Sequence, residues 1–166
     1  MVAPKLQFIS PLHLAEKQER LKGSVAVSAL RRVKDLLYSD KGSVNFDLQF
    51  DKDDQGHVTI KGEFSVTLNP MCQRCMQSMD LTIRNGISLA VVNLGDAQVL
   101  SGDYEPLTLV DNQIALETLL EEEILLAMPI APMHERNICD GGDLMDKYQA
   151  SPESPFAVLK DLKIEK

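Results

Sequence analysis

Tryptophan is absent from this chain, and aromatic residues make up only 5% of it. A surface that reads unpaired bases by stacking them on aromatic rings is therefore poorly provided for. No apolar run approaches the roughly 18 residues of a membrane-spanning helix, and no signal-type apolar stretch follows a basic start. Cysteine is scarce as well: three residues, an odd number that cannot pair completely within one molecule. The expectation is a cytoplasmic protein with no membrane partner. In that reducing setting a close thiol pair is metal-binding or redox-active more often than it is a structural disulfide. The chain also lacks a Ser nucleophile elbow, a Gly-rich phosphate loop and an HExxH motif, so neither an enzyme nor a small-molecule substrate is expected.

What is present is an ordinary globular composition, 44% hydrophobic in 166 residues and 18.4 kDa, enough for one domain over 1–166. The net charge of −8 looks wrong for a nucleic-acid binder. The average conceals two unlike ends. Residues 1–42 carry eight Lys/Arg against four acids, a net of +4. Residues 94–153 carry two bases against thirteen acids, a net of −11. Such a molecule can turn a basic face to phosphate, although two solvated faces explain the same numbers.

Periodicity predicts an α+β fold: an antiparallel β-meander packed with an N-terminal basic helix and a C-terminal acidic helix. The basic segment, 1–42, offers a short strand at Leu6, Phe8 and Ile9, then a helix from an N-cap at Ser24 to a stop at Gly42. Residues 43–93 hold three alternating runs. Val44, Phe46, Leu48 and Phe50 form the first; Val58, Ile60, Phe64, Val66 and Leu68 the second, with Gly62 marking a bulge. Leu81, Ile83, Ile87, Leu89 and Val91 form the third. Residues 94–166 begin as an acidic loop with an extended piece at Pro106–Val110. A helix over "IALETLLEEEILLAMP" follows, ended by Pro129, and then a last short helix with Pro155 in its first turn. The apolar pieces Tyr104–Pro106 and 155–159 are expected to dock on the sheet, with partner binding as the alternative.

Chemistry concentrates in "NPMCQRCMQSM" at the tip between the second and third runs. Cys72 and Cys75 in a C-x-x-C turn place two thiolates on one metal ion, and His134 and Cys139 could supply the other two donors of a zinc tetrahedron. Arg74 between the thiols favours the thiolate form. A redox pair and idle reduced thiols fit the same residues, although a thioredoxin-like pair would open a helix rather than join antiparallel strands. Glu121, Glu122 and Glu123 point in different directions on a helix and are expected to be a solvated face. His13 and His57 stand isolated. Candidate phosphate-binding residues are Lys17, Arg20, Lys22, Arg31, Arg32 and Lys34.

These pieces together resemble one family. "CQRC" after a hairpin, "YEPL", "LLEEEILLAMPIAPMH" followed by a Cys, and "SPFAVLKDLK" occur in the order seen in the YceD family of large-ribosomal-RNA-subunit accumulation proteins. The resemblance implies a cytoplasmic factor of bacteria and plastids that promotes accumulation of 23S ribosomal RNA, with no established catalytic activity. It also implies that Cys72, Cys75 and Cys139 are the recurrent cysteines, with the acidic helix at 116–134 and the terminal motif at 155–159. Ser154 departs from the Asn that often precedes the Pro-Phe pair. Two partners follow as expectations. The protein contacts 23S ribosomal RNA or its precursor through its basic third, or it is a protein-interaction module whose acidic half docks on a basic large-subunit ribosomal protein.

Overall fold

The alternation of apolar and polar residues from Val44 to Val91 becomes the centre of the fold. The structure, a computed structural model, describes residues 7–92 and 104–140. Three long strands, β4 (Ser43–Lys52), β5 (Val58–Pro70) and β6 (Leu81–Val91), pair antiparallel in that order. Successive side chains of a strand point to opposite faces, so Val44, Leu48, Phe50, Ile60, Phe64, Leu68, Ile87 and Leu89 share one buried face. Full burial of each such side chain contributes about 1.5–3 kcal/mol. Helix α3 (Leu116–Ala127) covers part of that face. Its Leu116, Leu119, Leu120 and Ile124 recur at helical spacing and join the same cluster.

The fold is α+β, and the sheet is broader than a plain meander. Strand β2 (Arg20–Ala26) precedes β4 in sequence and pairs outside it, from Arg20↔Gln49 to Ala26↔Ser43. Strand β3 (Leu37–Ser39) pairs with the end of β5, and β7 (Glu105–Leu107) lies parallel to β6. The short strands β1 (Phe8–Ile9) and β8 (Ile114–Ala115) form a separate pair, beside helix α1 (Pro11–Glu16). Tyr104 heads β7, with the Lys61 ammonium 4.9 Å from its ring centre, so this piece does lie on the sheet.

The expected basic helix is not there. In its place stand β2, a 3₁₀ turn at Val27–Ala29, a single helical turn α2 (Arg31–Lys34), and β3. Leu21, Val25 and Val27 also alternate with period two, and seven cross-strand pairs to β4 outweigh a helix that would have to carry three β-branched residues, Val25, Val27 and Val33. Ser24 is thus a strand residue opposite Asn45, and Gly42 serves a turn at φ +110°. Part of the expected stripe is still interior: Leu30 and Val33 are buried, while Leu36 is exposed. The expected helix from Pro155, the piece 155–159 and residues 93–103 of the acidic loop lie outside the described residues. Among the described residues, no helix is long and apolar enough to cross a membrane.

Gly62 marks no bulge. The β4–β5 register runs without interruption from Lys52↔Val58 to Asn45↔Ser65. The glycine is required by close approach, because a Cβ there would stand 2.0 Å from the Asp47 carbonyl oxygen and 2.9 Å from Leu48 Cα. At Gly86, next to it on β6, the nearest atom would be 3.8 Å away. Gly62→Ala is therefore expected to cost about 2–4 kcal/mol in urea unfolding. Gly86→Ala should stay within about 0.5 kcal/mol. Equal effects at the two positions would contradict this packing.

Candidate metal centre

Strand β5 ends at Pro70, and the chain reverses through a tight knuckle before β6. Met71 bridges to Ser78, the Cys72 N–H donates to the Gln77 carbonyl at 2.8 Å, and the Met76 N–H donates back to the Cys72 carbonyl at 2.9 Å. Met76 takes φ +59°, a left-handed conformation uncommon for a long side chain, which brings Cys75 round beside Cys72. The N–H groups of Arg74 and Cys75 are directed at the Cys72 sulfur, and that of Gln77 at the Cys75 sulfur. Such a turn stabilises thiolates with its own backbone.

The second half arrives from the loop after α3. Pro129 ends that helix, and the buried Pro132 accepts a hydrogen bond from the Gln73 N–H at 2.9 Å, fastening the loop to the knuckle. The next turn presents His134, whose N–H donates to Cys72 Sγ at 3.4 Å and whose Nδ1 lies 3.3 Å from Cys75 Sγ. A 3₁₀ turn at Arg136–Ile138 then delivers Cys139, its sulfur 4.0 Å from that of Cys72. The four donor atoms of Cys72, Cys75, His134 and Cys139 all lie within 4.8 Å of one another. Neighbouring sulfurs on one zinc ion stand about 3.8 Å apart, given Zn–S bonds of about 2.3 Å. A disulfide needs about 2.05 Å, and all three cysteines are free. The set is compatible with zinc. With four protein donors it leaves no coordination position for substrate, which is the arrangement of a structural site.

The protons of the cluster are unevenly held. Burial opposes ionisation of Cys72, yet the N–H groups of Cys75, His134 and Arg74 outweigh it and draw the thiol down to about 5. At Cys75 the Gln77 N–H favours the thiolate, but burial and the adjacent Cys72 and Cys139 sulfurs push the thiol up. Burial works against the His134 imidazolium, whereas hydrogen bonds to the Cys72 and Cys139 sulfurs raise its affinity for a proton.

The six cations singled out in the sequence lie on three different pieces of the chain. Lys17 follows α1 and lies 3.8 Å from Glu19. Arg20 and Lys22 sit on the edge strand β2, and both are turned onto Asp47. Arg20 makes bonds of 2.6 and 2.9 Å to its two oxygens, and Lys22 lies at 3.3 Å. The Arg20 guanidinium holds the Asp47 carboxyl below the usual carboxylate range. Arg32 pairs with Glu122. Arg31 and Lys34 are exposed on α2 and make no ion pair among the described residues.

The triple acid is not a uniformly solvated face. Glu121 and Glu123 are buried, and Glu121 Oε1 accepts the Arg32 N–H at 2.7 Å and the Val33 N–H at 3.4 Å. It thereby satisfies orphan donors at the start of α2. Burial pushes the Glu123 carboxyl up, with Glu105 and Glu122 adding to the effect. Nothing local in the sequence signals the Glu121 role, because its partners lie 88 and 89 residues away.

An α+β sheet protein with a closed cluster of three thiols and one imidazole is thus defined by its own geometry. Residues 60–163, which include all four donors, match the sequence profile of the family described as large ribosomal RNA subunit accumulation protein YceD. The chain belongs to the YceD family. It is 28% identical over 163 residues to the large ribosomal RNA subunit accumulation protein YceD of Haemophilus influenzae, covering 93% of this chain and 94% of that protein. No solved structure matches.

In metal-free protein the ultraviolet absorbance of thiolate is expected to titrate with a midpoint near the value of about 5 given by Cys72. One thiolate is then fully formed at neutral pH, and Cys72→Ser should remove that step. A first midpoint in the ordinary thiol range would contradict the hydrogen-bonded geometry at this sulfur.

Proposed function

We propose that this chain is a non-catalytic factor of large-subunit assembly that promotes accumulation of 23S ribosomal RNA, acting in the cytoplasm as a single domain. The observation that carries this reading is the family match over 60–163, which takes in both halves of the sulfur cluster. The relative from Haemophilus influenzae, which bears the accumulation role in its name, aligns with almost the whole chain. Within this reading Cys72, Cys75, His134 and Cys139 hold one Zn(II) ion. When bound, the ion supplies a cross-link between the β5–β6 tip and the loop after α3, and its binding free energy becomes folding free energy.

Protein purified without chelator should then carry about one equivalent of zinc per chain. A strong chelator should lower the melting temperature of the parent protein, while Cys72→Ser should melt low with or without chelator. Zinc far below one equivalent, or melting indifferent to chelator, would overturn the zinc assignment.

The working partner in this reading is the RNA itself, contacted first through Arg31 and Lys34. A second reading has support of its own. Arg20, Lys22 and Arg32 are already paired with acids of the same chain, which leaves less positive charge for phosphate and favours a basic ribosomal protein as the partner. Ultraviolet crosslinking of tagged protein in growing cells, followed by sequencing of the attached RNA, separates the two. Reads gathered on one region of the 23S precursor, lost in the Arg31→Ala/Lys34→Ala double variant, are expected for direct contact, with affinity falling steeply as salt rises. No enrichment over a mock sample, together with a retained ribosomal protein, would replace the RNA reading by the protein one.

A further inference from the structure

Arg74 lies between the two cysteines of the knuckle, and its half-buried side chain reaches across the cluster. Its Nε donates to Cys139 Sγ at 3.0 Å, and its Nη2 donates to the His134 carbonyl at 2.9 Å, with the Glu135 carbonyl at 3.5 Å. Its own backbone N–H is directed at the Cys72 sulfur. One residue therefore touches a thiol of the knuckle, the thiol of the distant loop, and the backbone of the imidazole donor. The Gln73–Pro132 hydrogen bond, the His134 N–H to Cys72 Sγ and the Cys75 Sγ–His134 Nδ1 contact also join the two halves.

Charge gives the contact its chemistry. Three thiolates and a neutral imidazole around a divalent ion leave one uncompensated negative charge, and Cys72 and Cys139 are both buried. An uncompensated charge in such surroundings is costly. A guanidinium is permanently charged, and its planar fork can bond a sulfur and a carbonyl together, which a lysine ammonium on a flexible stem does less well. Groups that hydrogen-bond to metal ligands orient them and tune their affinity.

We propose that Arg74 is the positioning residue of this centre: it neutralises the excess charge of the Cys72, Cys75, His134 and Cys139 set and locks Cys139 onto the knuckle. The inference rests on the zinc reading above and adds a residue that is not itself a ligand. It assigns the x-x interior of the C-x-x-C turn a duty that the spacing alone does not require. It also makes the closure of the cluster dependent on a side chain as well as on the ion.

The test compares the full chain with Arg74→Ala and Arg74→Lys by competition for zinc against a chromophoric chelator, and by the thiolate-to-metal absorption of the cobalt(II) form. The parent protein is expected to bind one equivalent. Arg74→Ala should still bind one equivalent, about 10–100-fold more weakly, with a weakened cobalt–thiolate band. Arg74→Lys, which keeps the charge and loses the fork, should fall between. Parent-like affinity and cobalt absorption in Arg74→Ala would overturn the positioning role. A parent protein that binds less than one equivalent would instead defeat the zinc reading beneath it. If circular dichroism finds Arg74→Ala unfolded, the lysine variant decides: intermediate affinity supports the role, and parent-like affinity with a parent-like band overturns it.

Discussion

Strand β5 is the member on which the rest of the structure depends. It spans thirteen residues and is paired antiparallel along both edges, by β4 on one side and β6 on the other, with β3 joining at its end. A strand with both edges occupied and one face buried cannot slip by a residue without turning its whole apolar set to solvent. The Cys72–Cys75 knuckle is the direct continuation of that strand past Pro70. Its sulfurs therefore follow directly from a strand that is held along both edges, which anchors one side of the cluster.

The parts of this arrangement legible in the sequence are those governed by short-range repetition. The alternation at Val44–Phe50, Val58–Leu68 and Leu81–Val91 and the helical stripe from Leu116 to Ile124 each name their element within a dozen residues. The C-x-x-C spacing names the knuckle in the same way. The N-terminal third misled because residues 21–37 satisfy two periods at once, and the choice between them was made by β4, some twenty residues downstream. The role of Gly62 has no local sign either, since the crowding that demands a glycine comes from the Asp47 carbonyl on another strand. Glu121 looked like one of three solvated acids. Its duty depends on N–H groups almost ninety residues earlier, and no local pattern encodes such a distance.

The division of charge along the chain takes on a different meaning once the chain is folded. In sequence, bases gather before residue 43 and acids after residue 93. In the fold, Glu121 and Glu122 of α3 lie against α2, where one caps its backbone and the other pairs with Arg32. Asp47 performs the same office for Arg20 and Lys22 on the sheet. Part of the asymmetry is consumed inside the molecule, holding the first third of the chain against the last. Net charge by segment overstates what any outside partner meets.

The four donors of the cluster are drawn from positions far apart: Cys75 and His134 are 59 residues distant, Cys72 and Cys139 67. A chain emerging from its own synthesis can pair β4, β5 and β6 while His134 and Cys139 do not yet exist. Through that interval the knuckle presents two thiols and no closure, and the cluster is completed only when the residues after α3 have been added. Assembly of the sulfur centre accordingly distinguishes a chain extended past Cys139 from one that stopped short.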